Sequence, residues 1–499
     1  MVKISIIVPV YNTGKYVGKC IESLLQQTLN EIEIICIDDA STDNSLLIID
    51  SYAQKDDRLC ILKHIQNQGT LQARKHGVEQ AAGKYIMFVD SDDWLEKAAC
   101  EKLYNHMQEK QTDILQFGTN VIPAVPLSES LISWIENFLK PYNQKIDHDY
   151  ILRACFIEDR FDFNITDKIW KTTLCKTAFK NIKNQRMIAA EDRYAFFILA
   201  YYANDYTGLN NAKYYNYNVG IGITGSDLLD LERFEKRCTG VKAANAVYEF
   251  LEENNALEEY QEEYKQFRNK ILWDCVDCWY HKLNQRDQGV GYDILLKYWE
   301  ADEIISSIAR MYFEDISTVS EKIMTANVMT HKPVIGIYYR YLGYELMDEY
   351  VQRQVNAIKQ SDYSFCLFSD IDAPANNWEN SELVLLPSSK EANWDKYEER
   401  AVAFKNQLKK HNISVMLYAS PTSHIAWLDT LLLKSMGILV LYLDEDGELE
   451  KRNYDYSKMQ NYEKKIQEIT DCCEKIKESK AYKLGSALLW FPKKVRKMF

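Results

Sequence analysis

The sequence predicts an α/β fold built on a mostly parallel sheet, and three observations carry that expectation. Short apolar, β-prone runs alternate with helix-spaced segments through residues 1–120. Polar loops recur at the carboxyl end of those runs: Pro9–Asn12, Asp38-Asp39 and Asp90-Ser91-Asp92-Asp93. In open α/β sheets ligands bind outside the carboxyl ends of strands, near a change in strand order. The same rhythm starts again around Pro333.

Taken in order, residues 4–10 form an apolar strand, and 15–27 a helix through Val17, Cys20, Ile21, Leu24 and Leu25. A strand follows over 31–37. A helix spans 45–53, with Asp43 or Asn44 available as its N-cap. Residues 59–62 are a short strand, and 70–82 a helix that Gly83 is placed to end. Residues 85–89 are a buried strand leading into Asp90–Asp93. Residues 121–225 are less regular. Residues 226–331, rich in Glu, Lys, Tyr and Trp at helical spacing, read as a helical connecting region. Strands at 334–339, 365–368, 383–386, 415–418 and 438–443, with helices at 347–360, 397–410 and 427–436, make 332–445 a second, smaller Rossmann-like unit. Residues 446–499 hold a charged helix and then a basic amphipathic tail, with no acidic residue from Ser479 to Phe499. Such a tail suits an anionic membrane surface.

Composition excludes several functions. A formal net charge of -13 argues against nucleic acid as a partner. Twelve scattered cysteines, one Cys-x-x-Cys (Cys275, Cys278) and no second pair predict reduced thiols and no zinc site. The N-terminus enters a strand at once, leaving no room for a targeting segment, and no apolar run approaches the ~20 residues of a membrane helix. The expected location is the cytoplasm, peripheral to the inner face of the membrane. His64, His76, His106, His281 and His331 lack ligand spacing and read as surface or packing residues.

The acidic cluster is the most telling motif. Three carboxylates leaving a buried strand are costly if unpaired, and are well placed to hold a hard divalent cation, which in turn holds a diphosphate.

Together, Ile7-Val8-Pro9-Val10-Tyr11-Asn12, Ile37-Asp38-Asp39-Ala40-Ser41, Asn67-Gln68-Gly69 with Ala73-Arg74, Gly83-Lys84-Tyr85 and Asp90-Ser91-Asp92-Asp93 resemble glycosyltransferase family 2 over residues 1–225. The resemblance implies a GT-A catalytic domain, a nucleotide-sugar donor, a Mn2+ or Mg2+ ion and inversion at the anomeric carbon. It places Pro9, Val10, Tyr11 and Asn12 in the base and ribose pocket, Asp39 on the N–H of uracil, and Arg74 near the nucleotide. Asp90 and Ser91 fall on the donor, with Asp90 on ribose or metal-bound water. Asp92 is the metal ligand, and Asp93 supports it from behind. Glu191-Asp192, at the head of an apolar helix, matches the family's Glu-Asp pair: Asp192 as catalytic base, Glu191 as its orienter or an acceptor contact. Asp167-Lys168-Ile169-Trp170-Lys171 resembles a further segment, in which Lys168 meets the diphosphate and Trp170 stacks on a sugar. In Tyr215–Thr224, Asn218 stands where the family often carries Arg. The 332–445 unit resembles one half of a GT-B glycosyltransferase, without a phosphate loop, and is expected to bind acceptor or to join copies of the chain.

The function expected is inverting, metal-dependent sugar transfer, from a donor expected to be UDP-linked, to a glycan or lipid-linked acceptor in bacterial surface polysaccharide synthesis. The rivals are a nucleotidyltransferase, against which the Tyr11–Lys15 loop is poor in Gly and Arg, and a non-catalytic scaffold, against which Asp92 and Asp192 stand.

Overall fold

A computed structural model of the chain describes residues 1–220, 229–312, 322–323, 334–338, 365–369, 383–387, 394–419, 424–443 and 449–450. The helix expected at 347–360, residues 221–224 of the Tyr215–Thr224 segment, and the membrane-directed tail at 479–499 lie outside the described residues. Contacts divide the chain into two compact units, 1–287 and 288–499. The helices of the 226–331 region divide between them.

The first unit is organised by a nine-stranded sheet. Strands β1 (Ile4–Val10), β2 (Ile32–Asp38), β3 (Leu59–Lys63) and β4 (Tyr85–Phe88) are parallel, in the order β3-β2-β1-β4. All seven residues of β1 are buried, as expected of a central strand with helices on both faces. Beyond β4 come β5 (Trp94–Leu95), β6 (Ile114–Pro123), β7 (Lys145–Asp147), β8 (Lys168–Lys171) and β9 (Asp205–Val219), completing the order β3-β2-β1-β4-β8-β6-β9-β5, with β7 paired to β9. β8 runs antiparallel between β4 and β6, so the sheet changes direction next to β4. This is a mixed α/β sheet, as the resemblance to a GT-A domain leads one to expect.

Helices α1 (Val17–Leu25), α2 (Ser45–Ala53), α3 (Thr70–Gln80) and α4 (Ala99–Lys110) alternate with the first strands. α1 buries Val17, Cys20, Ile21 and Leu24, the stripe its spacing predicts. At the start of α2 it is Asp43 whose carboxylate accepts the Ser45 N–H at 2.9 Å; Asn44 makes no capping bond. α3 stops at Gln80, earlier than expected, so Gly83 does not cap it. A Cβ on Gly83 would lie 2.6 Å from the Ser5 nitrogen: the glycine is there because the chain passes hard against β1.

α5 (Glu129–Phe138), α6 (His148–Phe156), α7 (Thr172–Asn181), α8 (Glu191–Tyr202), α9 (Leu231–Cys238), α10 (Val241–Glu253) and α11 (Gln261–Asp277) complete the unit. α8 is its pivot. Residues 194–200 are all buried, and the helix packs on α6, α7 and α10. Phe196 and Phe197 meet Phe156, Phe161, Trp170 and Phe267 at ring separations of 5.3–6.2 Å, counting the contacts among those partners. Burial of each such ring is worth about 1.5–3 kcal/mol, so the first turn of α8 is anchored from behind.

In the second unit, β10 (Ile335–Tyr338), β11 (Phe365–Ser369), β12 (Leu383–Leu385), β13 (Val415–Ala419), β14 (Leu439–Leu443) and β15 (Leu449–Glu450) form a sheet in the order β12-β11-β10-β13-β14-β15, parallel except for β15. It carries α12 (Gln288–Tyr298), α13 (Ala301–Tyr312), α14 (Trp394–Lys410) and α15 (His424–Ser435). Buried Arg400 donates to Asp429, to the Tyr338 hydroxyl at 2.9 Å and to the Pro387 carbonyl, which satisfies its charge within the unit. Among the described residues no helix is long and apolar enough to cross a membrane.

Candidate active site

A cleft of about 250 Å³ opens where β1, β2 and β4 end and where α3 and α8 begin. It is lined by Pro9 and Val10 at the end of β1 and Tyr11 just after it, Asp39 after β2, and Asp90, Ser91 and Asp92 after β4; Arg74 projects from α3, and Glu191 and Asp192 from α8. The expected site residues Pro9, Val10, Tyr11, Asp39, Arg74, Asp90, Ser91, Asp92, Glu191 and Asp192 therefore converge on one cavity. Asn12 does not line it. Its side-chain oxygen accepts from Thr42 N–H at 2.8 Å, so it braces the neighbouring loop from a positive φ of 53°.

Two further residues are corrected by the structure. Trp170 is fully buried on β8, its indole N–H donating to the Ile165 carbonyl at 3.2 Å; it has no face to offer a sugar. Lys168 is also fully buried, and donates to Asp162 at 3.1 Å, Asp167 at 2.7 Å and the Asn164 carbonyl at 2.6 Å. Gln116 donates to both of those carboxylates, and Tyr206 donates to Gln116. Every arm of this ammonium is used inside the domain, so it does not reach a diphosphate.

Asp39 is held by backbone. Its carboxylate accepts the Gln68 N–H and the Gly69 N–H, each at 2.8 Å, and faces His64 Nδ1 at 2.7 Å. Gly69 can present its N–H this way because it sits at φ +88°, where a side chain is disfavoured.

Arg74 ties the two ends of the site together. It is 1% exposed, and donates to Asp90 Oδ1 at 2.7 Å and to Asp192 Oδ1, residues 16 and 118 positions away. Burial opposes its charge, but the Asp192, Asp90 and Glu191 carboxylates outweigh that and push its pKa up. Its Nε is buried without a protein partner.

The acidic turn is clamped from β9. Tyr215 O–H donates to Asp93 at 2.6 Å while accepting the Asp90 N–H at 3.1 Å. Asn218 N–H donates to Asp93 at 2.7 Å, and its side chain donates to the Asp92 carbonyl at 3.2 Å. Thr13 donates to Ser91 at 2.9 Å. Asp93 thus points inward and supports the turn, while Asp92 faces the cleft. Sequence reading missed Tyr215 and treated Asn218 as a departure; three positions apart on one strand, they follow no two-residue alternation that would have paired them.

The electrostatics are one-sided. Asp39, Asp90, Asp92, Glu191 and Asp192 line the cavity with Arg74 as the one cation among them. Burial, then Asp90, pushes Asp92 up to about 6. Burial and the adjacent Asp192 push Glu191 well above the usual carboxylate range. Ala190, immediately before α8, takes φ 59°, a strained conformation that turns the Glu191-Asp192 pair toward the cleft. Among the described residues no three His, Cys, Asp or Glu side chains converge as a metal cage. The donor set instead fits a hard cation shared with a ligand's phosphates, which needs only one or two protein carboxylates.

Residues 5–164 match the model of Glycosyl transferase family 2. The chain is 46% identical over 112 residues to glycosyltransferase GlyG of Streptococcus pneumoniae, covering 22% of this chain and 37% of that one. It is 29% identical over 269 residues to EpsH of Bacillus subtilis, covering 53% and 73%. Its match thus spans little more than a third of GlyG. Among solved structures it is similar to S. aureus TarS 1-349 in complex with UDP, at 21% identity and a TM-score of 0.44, covering 65% of this chain and 88% of that one. The similarity to glycosyltransferase family 2 thus extends over residues 5–164 of the chain.

Proposed function

We propose that the cleft binds a UDP-sugar and transfers its glycosyl group, with inversion, to a hydroxyl of a glycan or lipid-linked glycan of the bacterial surface. The observation that carries this reading is the meeting, in one cavity at the sheet's carboxyl edge, of Asp39, the Asp90–Asp92 turn and Asp192.

Asp39 accepts the imide N–H of uracil, and Pro9 and Tyr11 flank the base. A diphosphate brings negative charge into a cavity of five carboxylates and one guanidinium, so it enters only with added positive charge. Asp92 would hold that Mn2+ or Mg2+ ion, with Asp90 beside it, and the ion would neutralise charge on the departing nucleoside diphosphate. Asp192 takes the proton of the acceptor hydroxyl as the oxygen bonds to the anomeric carbon and the bond to the diphosphate breaks. Arg74 fixes the Asp192 carboxylate by one nitrogen, leaving its other oxygen for that proton. Glu191, pushed up by burial and by Asp192, is protonated at neutral pH and donates to the acceptor.

The test is release of UDP from a panel of UDP-sugars with Mn2+, with and without EDTA, by wild type and Asp92→Asn. Turnover that needs metal and is lost in Asp92→Asn is expected. Undiminished turnover in EDTA removes the cation; no binding or hydrolysis of any UDP-sugar removes the function.

A further inference from the structure

We propose that His64 is a positioning residue that sets nucleobase specificity, by leaving Asp39 a single acceptor site directed at a ring N–H. The inference rests on the nucleotide-sugar reading above and deepens it.

Acceptor sites are few on Asp39. An ionised carboxylate offers about four lone-pair positions and no donor. On Oδ1, the Gln68 N–H at 2.8 Å and His64 Nδ1 at 2.7 Å take both. On Oδ2, the Gly69 N–H at 2.8 Å takes one. One position remains, on Oδ2, and Asp39 lines the cleft. A base carrying a ring N–H, such as uracil at N3, fills it. Cytosine presents a lone pair at N3, so two acceptors would face each other.

His64 is built for this task. Its side chain is 7% exposed and that of Asp39 is 3%. Because the carboxylate only accepts, the hydrogen sits on Nδ1. The other ring nitrogen, Nε2, faces Nδ1 of His76 at 3.2 Å, with the two rings 5° from parallel. His76 lies on α3, two residues beyond Arg74, so one helix braces both the base-recognising carboxylate and the Asp90–Asp192 pair. The backbone cooperates: His64 N–H donates to the Asp38 carbonyl at 2.9 Å, which locks the exit of β3 to that of β2. Without His64, the backbone N–H groups of Gln68 and Gly69 still hold the carboxylate, but Oδ1 regains a free lone pair, and a base is no longer read at one fixed atom.

The experiment measures dissociation constants for UDP and CDP with Mn2+ by calorimetry, on folded wild type, His64→Leu, His64→Asn and His64→Gln. Asn places an amide N–H near the position of Nδ1, whereas Gln places it near Nε2. Wild type is expected to prefer UDP, His64→Leu and His64→Gln to lose about tenfold of that preference, and His64→Asn to keep it. A folded His64→Leu with the wild-type UDP/CDP ratio overturns the proposal. Should Leu prevent folding, equal ratios in Asn and Gln overturn it. Wild type binding UDP and CDP equally overturns the specificity claim alone, whereas wild type binding no UDP overturns the nucleotide reading on which it rests.

Discussion

Replacing Arg74 by Met tests whether the site is held together by one buried cation. The substitution keeps the stem's volume and removes the charge. Asp90 and Asp192 side chains, 35% and 30% exposed, then lose their partner, while Glu191 and Asp92 remain close by. Breaking a buried pair from one side costs about 3–5 kcal/mol, and the partial exposure of both carboxylates favours the lower end, about 3 kcal/mol. For a unit of this size that lowers the melting temperature by about 6 °C or more. The sign of its pH dependence follows from repulsion. Asp90 and Glu191 are already pushed up by burial while Arg74 holds them down, so without Arg74 their folded pKa values lie further above those of the unfolded chain. Stability is then retained below the unfolded values and lost as pH rises through the folded ones. The gap between Arg74→Met and wild type should therefore be wide at pH 8 and narrow at pH 5. Paired calorimetric melts at the two pH values measure it. A variant as stable as wild type at pH 8, or a gap unchanged at pH 5, refutes the bridging role.

Other consequences can be checked alongside. Asp92, pushed up to about 6, must be ionised to hold a cation, so Mn2+ affinity should rise about tenfold per pH unit below 6 and level off above it; a flat titration of Mn2+ binding between pH 5 and 7 contradicts this. Asp192→Asn should lower glycosyl transfer about 10²–10⁴-fold while leaving the UDP dissociation constant within about twofold; equal losses of both would make Asp192 a binding group. Trp170→Ala should cost about 3–5 kcal/mol by denaturant unfolding, with no selective rise in acceptor KM, because the ring is core. Lys168→Met should destabilise by a similar amount, since Asp162 and Asp167 are left buried without their cation.

The parts of the site legible in the sequence share one property: they sit where an apolar run meets a polar loop. Asp39 and Asp90–Asp92 follow strands whose burial is plain from Ile34–Ile37 and Ile86–Val89, so their position at the sheet edge follows from chain order. Asp192 was legible because seven buried residues follow it closely in α8. Lys168 and Trp170 were misread for the converse reason. In a strand buried on both faces, the alternation of polar and apolar residues does not say which face is wet, and here three polar partners draw the ammonium inward. The Arg74–Asp192 bond spans 118 residues, and the His64–Asp39 contact depends on β3 lying beside β2; no local pattern encodes either. Gly83 looked like a helix end because glycine serves both there and at close backbone approach.

The clamp on the acidic turn carries a practical consequence for shortening this chain. The family match ends at residue 164, yet Tyr215 and Asn218, which hold Asp90, Asp92 and Asp93, arrive about fifty residues later on β9, and β8 completes the sheet from Lys168 onward. A polypeptide cut at the end of the match would carry every acidic residue of the turn but nothing to aim it, and would expose the bare edges of β4 and β6 to other chains. The smallest autonomous piece of this protein must therefore extend past Val219, and during synthesis the cleft-facing geometry of a motif made at residue 92 waits for a strand that emerges more than a hundred residues behind it.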